Sequence, residues 1–152
     1  MTTPTSSVTH DEPTLLYAIK QVELAVRAHM DALLKPMNIT ALQYTALTVL
    51  RRKDGLSSAE LARNSFVTAQ TMGEMLATLE RRGLVIRQTD PGNRRRTLNS
   101  VTAAGKTLLD DHAEKVAELE ERMVAGLNIR QREALRGYLN SCRQRLGSVA
   151  AQ

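Results

Sequence analysis

Six arginines fall between residues 81 and 96: Arg81, Arg82, Arg87, Arg94, Arg95 and Arg96. Only Glu80 and Asp90 lie near enough in sequence to offset them. Three are consecutive, directly after Asp90-Pro91-Gly92-Asn93, a sequence that makes a tight turn. Like charges crowded on a turn repel one another, so this tip suits a polyanion better than water. A guanidinium keeps its charge and forks onto two phosphate oxygens. The minor groove of duplex DNA admits arginine most readily where it narrows and its potential is most negative. A solvated charged hairpin is the plainer reading of the same run.

A second set of residues lies just upstream. Over residues 68–82 the spacing of Val67, Met72, Met75, Leu76 and Leu79 predicts a helix with one core-facing side. Ala69, Gln70, Thr71, Gly73 and Glu74 fall on the other side, near the N-terminal end, with Thr68 as the cap. Small and amide side chains there suit entry into a major groove. Gln can pair with adenine through two hydrogen bonds, and a threonine methyl can touch thymine. The free amides of a helix's first turn also hold phosphate. An ordinary exposed helix face accounts for this pattern equally well.

Helices must position both sets. Leu15, Ile19, Val22, Val26, His29 and Leu33 form one stripe, widened by Met30 and Leu34 and stopped by Pro36. Thr40 with Gln43, and Ser57 with Glu60, read as capping boxes. Ile39 with Tyr44, and Leu56 with Leu61, read as the matching hydrophobic staples. The helix over 68–82 should close on Gly83 in a left-handed conformation. Two short helices joined through Asn64–Val67 make a helix-turn-helix. Leu84–Ile86 and Leu98–Val101 should be the two strands flanking the arginine turn. Leu109, His112, Val116, Leu119 and Met123 stripe a further helix. Asn128 and Gln131 cap the last one, which carries Leu135, Leu139, Cys142 and Leu146. The terminal helices hold more apolar stripe than a small head can cover, so burial against a second copy is expected.

Composition narrows the function. The 152-residue chain is 42% hydrophobic and carries a formal charge of +5, which favours one folded domain and an anionic partner. Its single cysteine, Cys142, fits a reducing compartment and, on an apolar stripe, a buried packing role. No signal-like N-terminus and no long apolar run are present, so a cytoplasmic location is expected. Four aromatic residues are too few for a stacking surface, which leans towards duplex rather than single-stranded nucleic acid. No phosphate loop, zinc spacing or nucleophile elbow points to an enzyme or to a cofactor. The acids around His112 match no compact metal site. The six between Asp110 and Glu121 should instead keep that helix away from DNA.

The run from Leu56 to Gly105 resembles the MarR family of bacterial transcriptional regulators. Its wing pattern, roughly Asp-Pro-x-Asp-Arg-Arg followed by Leu-Thr-x-x-Gly, is met here by Asp90, Pro91, Arg94, Arg95, Thr102 and Gly105. Two positions depart from it. Asn93 stands where the family has an aspartate that helps orient a wing arginine, and Val101 stands for leucine. Either the wing is more mobile for this, or Asp90 takes over the orienting role.

The resemblance implies a mainly α fold with a small β-hairpin wing: a winged helix-turn-helix head plus N- and C-terminal dimerisation helices. Residues 1–13 would be a flexible arm, 39–101 the DNA-binding region, and 14–38 with 102–147 the dimerisation region. It further implies a homodimeric repressor on a pseudo-palindromic operator, released by a small aromatic or phenolic ligand. DNA contacts would come from Ser57, Thr68, Ala69, Gln70, Thr71, Gly73, Glu74, Arg87, Asp90, Arg94, Arg95 and Arg96. The ligand cleft would involve His29, Met30, Leu33, Met37 and Tyr44, which suit a packed core at least as well. A sequence-tolerant architectural DNA binder, or a winged-helix adaptor for protein contacts, is the competing function.

Overall fold

Short-range chemistry starts every long helix of this chain. In the computed structural model, which describes residues 12–65 and 67–147, α1 (Leu15–Leu34) begins where the Thr14 hydroxyl accepts the Tyr17 amide at 3.1 Å. The arm expected over 1–13 lies, up to residue 11, outside the described residues. A 3-10 turn, Lys35–Met37, follows α1 with Pro36 inside it, so the helix stops where expected. Asn38 takes a left-handed conformation, φ 53°, which asparagine tolerates better than most residues.

The predicted capping boxes both form. Thr40 and Gln43 start α2 (Ala41–Arg52), with backbone-to-side-chain bonds of 3.0 and 3.1 Å in the two directions. Asp31 on α1 also accepts the Ala41 amide at 2.7 Å, placing a carboxylate at the positive end of α2. Ser57 and Glu60 start α3 (Ser58–Ser65) at 3.2 and 3.3 Å. Thr68 caps α4 (Ala69–Arg81), which ends on Gly83 at φ 72°. The Gly83 amide reaches the Glu80 carbonyl and the Leu84 amide reaches Leu79, the paired bonds of a Schellman motif.

The sheet is larger than the sequence suggests. β2 (Val85–Asp90) and β3 (Asn93–Val101) pair antiparallel, and the two residues of β1 (Leu56–Ser57) add to the other edge of β3. Leu34, Leu47, Leu50, Leu61, Met72, Leu76 and Leu79 are sealed in one core that gathers α1, α2, α3 and α4. Leu108 and Leu109 bring the start of α5 (Ala103–Met123) into the same core. Arg51 reaches Asp110 at 2.6 Å, joining α2 to α5 across the surface.

The last helix stands apart. α6 (Ile129–Leu146) has its Asn128–Gln131 capping box but buries no residue. Leu146 is 81% exposed and Tyr138 70%. At the other end of the chain Leu15 is 83% exposed, with Leu16, Ile19 and Val22 also open. Arg132 on α6 grips Glu121 of α5 at 2.8 and 3.1 Å and the Leu127 carbonyl at 3.0 Å. Cys142, expected to be buried, is exposed in the single chain, as are Leu139 and Leu146 on the same stripe.

Candidate nucleic-acid interface

Strand register explains how the arginine run is displayed. Thr89 pairs with Thr97, but the next pair is Asp90 with Asn93. Arg94, Arg95 and Arg96 are therefore three residues of β3 with no counterpart on β2, pushed out as an irregularity at the tip. Asp90 Oδ1 accepts the Gly92 amide at 2.9 Å, and Asn93 Oδ1 accepts the Arg95 amide at 3.2 Å. Both side chains thus hold the backbone of the turn. Asn93 therefore fixes the backbone of Arg95 and not its guanidinium.

The six arginines divide by neighbourhood. Arg82 donates to the Asn38 carbonyl at 2.7 Å and also to the Met37 carbonyl, tying the end of α4 to the turn after α1. Arg81 bonds Thr78 within its own helix at 3.0 Å. Arg87 is half-buried and faces Asn99 across the sheet, with its Nε enclosed and unbonded. Arg96 forms an ion pair with Glu60 on α3. Arg94 and Arg95 are exposed, and among the described residues no carboxylate pairs with either.

Two residues look different once their neighbours are visible. Ser57 is only 4% exposed, and its hydroxyl takes the Glu60 amide, so its side chain caps α3. Asn99, which sequence reasoning passed over, is fully buried. Its Nδ2 donates to the Leu56 carbonyl at 3.0 Å and to Ser58 Oγ at 3.2 Å, fastening β3 to β1 and the first turn of α3. Its only sequence signal is an amide amid the apolar Leu98–Val101 run, a poor strand residue that needs a partner.

The face of α4 expected to read bases is open. Thr68 Oγ1 takes the Thr71 amide at 3.1 Å, leaving the earlier amides of the turn without an intrahelical partner. Ala69, Gln70, Thr71 and Glu74 are exposed, with Gln70 Nε2 lying 3.4 Å from Glu74 Oε1. Gly73 is half-buried, yet a Cβ built there would meet nothing within 4 Å. Met72, Leu76 and Leu79 anchor the opposite face.

The wing is locked to α5 by the Thr-x-x-Gly part of the pattern. Thr102 Oγ1 donates to the Gly83 carbonyl at 2.6 Å and accepts the Gly105 amide at 3.1 Å, while its own amide reaches Leu84 O at 3.0 Å. A Cβ on Gly105 would lie 2.5 Å from that Leu84 oxygen and 2.6 Å from Val101 Cγ2. Only glycine allows this approach.

The five residues expected at a ligand cleft do not share one environment. Met30 and Tyr44 belong to the core, Leu33 packs partly against it, and His29 and Met37 are exposed. Burial pushes the Tyr44 hydroxyl above its usual range, opposed by Arg51, so it stays neutral near pH 7. The adjoining open cleft is lined instead by Asp31, Ala32, Lys35, Asn38, Ile39 and Thr40. Among the described residues no cluster of metal-ligating side chains is found, and no helix is long and apolar enough to cross a membrane.

A helix-turn-helix with an open reading helix and a basic wing defines a DNA-binding module of the winged-helix class. Residues 39–97 match the MarR family. The HTH-type transcriptional repressor Rv2887 of Mycobacterium tuberculosis is 32% identical over 138 residues, covering 91% of this chain and 96% of that protein. Among solved structures, the S. aureus MepR–DNA complex matches with a TM-score of 0.75 at 26% identity, over 86% of this chain and 97% of that one. The transcriptional repressor CouR, bound to a 23-mer DNA duplex, matches with a TM-score of 0.73 at 28% identity, over 85% of this chain and 92% of that one. The chain belongs to the MarR family and is a DNA-binding transcriptional repressor of it. Its expected fold, mainly helical with a small wing sheet, is the observed one.

Proposed function

We propose that the repressor acts in the cytoplasm as a homodimer on a pseudo-palindromic duplex, without catalysis, and that a small molecule releases it. The head, residues 39–101, carries the contacts, and residues 14–38 and 102–147 carry the dimer. Ala69, Gln70, Thr71, Gly73 and Glu74 read the major groove from α4, while Thr68 presents the first turn to a phosphate. Arg94 and Arg95 enter the adjacent minor groove from the wing, with Asp90 shaping the turn that holds them.

The observation that carries this reading is the unpaired state of those two arginines at a displaced tip. A charged hairpin that needed only water would have no reason to bulge three arginines out of register. Dimerisation is supported by α6, none of whose residues is fully buried, and by the open apolar face of α1. A small-molecule effector acts only through unequal affinity for the DNA-competent and incompetent arrangements. The region where α1 meets α2 is its proposed place, around His29, Leu33, Met37 and the cleft beside them.

A mobility-shift assay with the promoter beside its own gene, at physiological salt and with competitor DNA, tests the function. Retention at nanomolar protein that survives competitor is expected. Uniform weak retention would instead mark a sequence-tolerant architectural protein, and no retention an adaptor.

A further inference from the structure

The first turn of α3 receives β3 at two points, and β1 receives it at a third. Ser58 takes the Asn99 amide, Leu56 just before it takes the same group, and Glu60 takes Arg96. Glu60 does two jobs with its two oxygens. Oε2 accepts the Ser57 amide at 3.3 Å, closing the capping box, while Oε1 holds the Arg96 guanidinium through a single nitrogen. Arg96 lies thirty-six positions from Glu60 in sequence, so this contact fixes one element against another and not a local turn. It comes immediately after the two arginines that remain unpaired, at the last residue before regular pairing resumes at Thr97.

We infer that Glu60 and Arg96 are positioning residues: their ion pair sets the angle of the wing against α3, so that Arg94 and Arg95 reach DNA and Arg96 does not. The three consecutive arginines thus have unequal roles. The inference rests on the proposed entry of the wing into the minor groove. It accounts for why a run of like charges is tolerable in the free protein, since one of the three is neutralised inside the chain. It also accounts for an acidic residue kept beside a DNA-binding wing, where it would otherwise repel phosphate.

The signs of the expected effects separate this from the alternatives. Gln at the third helical position closes a capping box as Glu does, so Glu60→Gln removes the ion pair and keeps the cap. If Glu60 acted only through its charge, deleting that charge next to a polyanion would tighten binding. If it positions the wing, the same change weakens binding. A half-exposed ion pair is worth little by itself, so the loss should be about two- to five-fold per wing. Arg96→Ala should cost a similar amount and leave the salt dependence unchanged. Arg95→Ala should lower the slope of log K against log salt by about 0.9 for each arginine withdrawn from phosphate.

The test uses the full chain and a duplex that the parent protein selects from a random pool, titrated at several salt concentrations. Expected results are a weaker Glu60→Gln, a weaker Arg96→Ala with the parent slope, and a double variant no weaker than Arg96→Ala alone. Arg96→Lys should return to within about two-fold of the parent, because one donor suffices for a one-nitrogen contact, whereas a forked contact would need arginine. The unchanged salt slope of Arg96→Ala decides the matter should Glu60→Gln fail to fold. Tighter or unchanged binding by Glu60→Gln, or a slope in Arg96→Ala that falls as far as in Arg95→Ala, overturns the inference. An unchanged slope in Arg95→Ala overturns the wing reading beneath it, and is read separately from the Arg96 result.

Discussion

Gly73 sits in the middle of α4, where glycine is a poor choice for folding. It forgoes the helix propensity of alanine, about 0.5–1 kcal/mol, because its backbone has more freedom to lose. Among the described residues nothing requires it. A Cβ at this position meets no atom within 4 Å, and its φ is not positive. Gly73→Ala should therefore stabilise the protein by about 0.5–1 kcal/mol, or raise the melting midpoint by about 1–4 °C for a chain of this size. The same methyl should hurt binding. Ala69, Gln70 and Gly73 are three and four positions apart and form one face of the helix, the face assigned to the groove. A methyl forced into a close-packed contact costs about 1–3 kcal/mol, so affinity for the selected duplex should fall about five-fold or more per half-site. Urea denaturation and a binding titration on one preparation read both quantities. Stability up with affinity down is the expected pair. Parent affinity would show that this face of α4 does not approach DNA, and lower stability would show that the space around Gly73 is misjudged.

Three more expectations follow from particular contacts. Gly105→Ala has the opposite sign for folding, because its Cβ would lie 2.5 Å from the Leu84 carbonyl oxygen; a loss of about 1–3 kcal/mol in urea denaturation is expected, and a neutral variant would mean the wing and α5 are not locked there. Gln70→Ala should change base preference more than overall affinity, costing about 1–3 kcal/mol at the cognate base pair in a binding series over single-base variants of the duplex. Equal losses on every duplex would make Gln70 a backbone contact. Leu139→Glu, on the open face of α6, should shift sedimentation from dimer towards monomer; a parent that already sediments as a monomer would remove the reason given for that exposed face.

What the sequence made legible was mostly local. Thr40 with Gln43, Ser57 with Glu60, Thr68, and Asn128 with Gln131 act over three residues, so their types and spacing are enough. The helix stripes follow from period alone. Strand lengths did not, because Arg94–Arg96 and Gln88–Asp90 show no apolar alternation; Gln88–Asp90 is a strand through its pairing with β3, and Arg94–Arg96 extend β3 past that register. β1 has two residues, too few for any pattern, and exists because Asn99 and the Gly55 turn bring Leu56 alongside β3. The division of labour among the arginines was also invisible. Arg82 serves carbonyls forty-four and forty-five positions away, and Arg96 a carboxylate thirty-six away. A cluster of like residues advertises a charge, while tertiary neighbours decide which members are free to use it.

These ties constrain how the proposed release from DNA works. α4 is sealed to α3 and α2 through Leu61, Leu76 and Leu79, Arg82 clamps its far end, and the wing is fastened through Asn99, Glu60 and Thr102. To displace either reading element alone, an effector would have to break several buried or partly buried contacts at once. Moving the whole head is far cheaper. The first turns of α5 must travel with it, since Gly105, Leu108 and Leu109 are buried there. Beyond Leu109 the helix leaves the core, and Val116 and Leu119 are only partly covered. In a dimer, the distance between two heads is then set where α5 emerges, with the exposed Arg51–Asp110 pair as a weak surface tie at that point. A ligand that favours one tilt of the head over another changes the half-site spacing without touching a DNA-contacting residue. In the proposed mechanism, control of binding therefore falls at the junction of α1, α2 and α5, with the reading surfaces rigid.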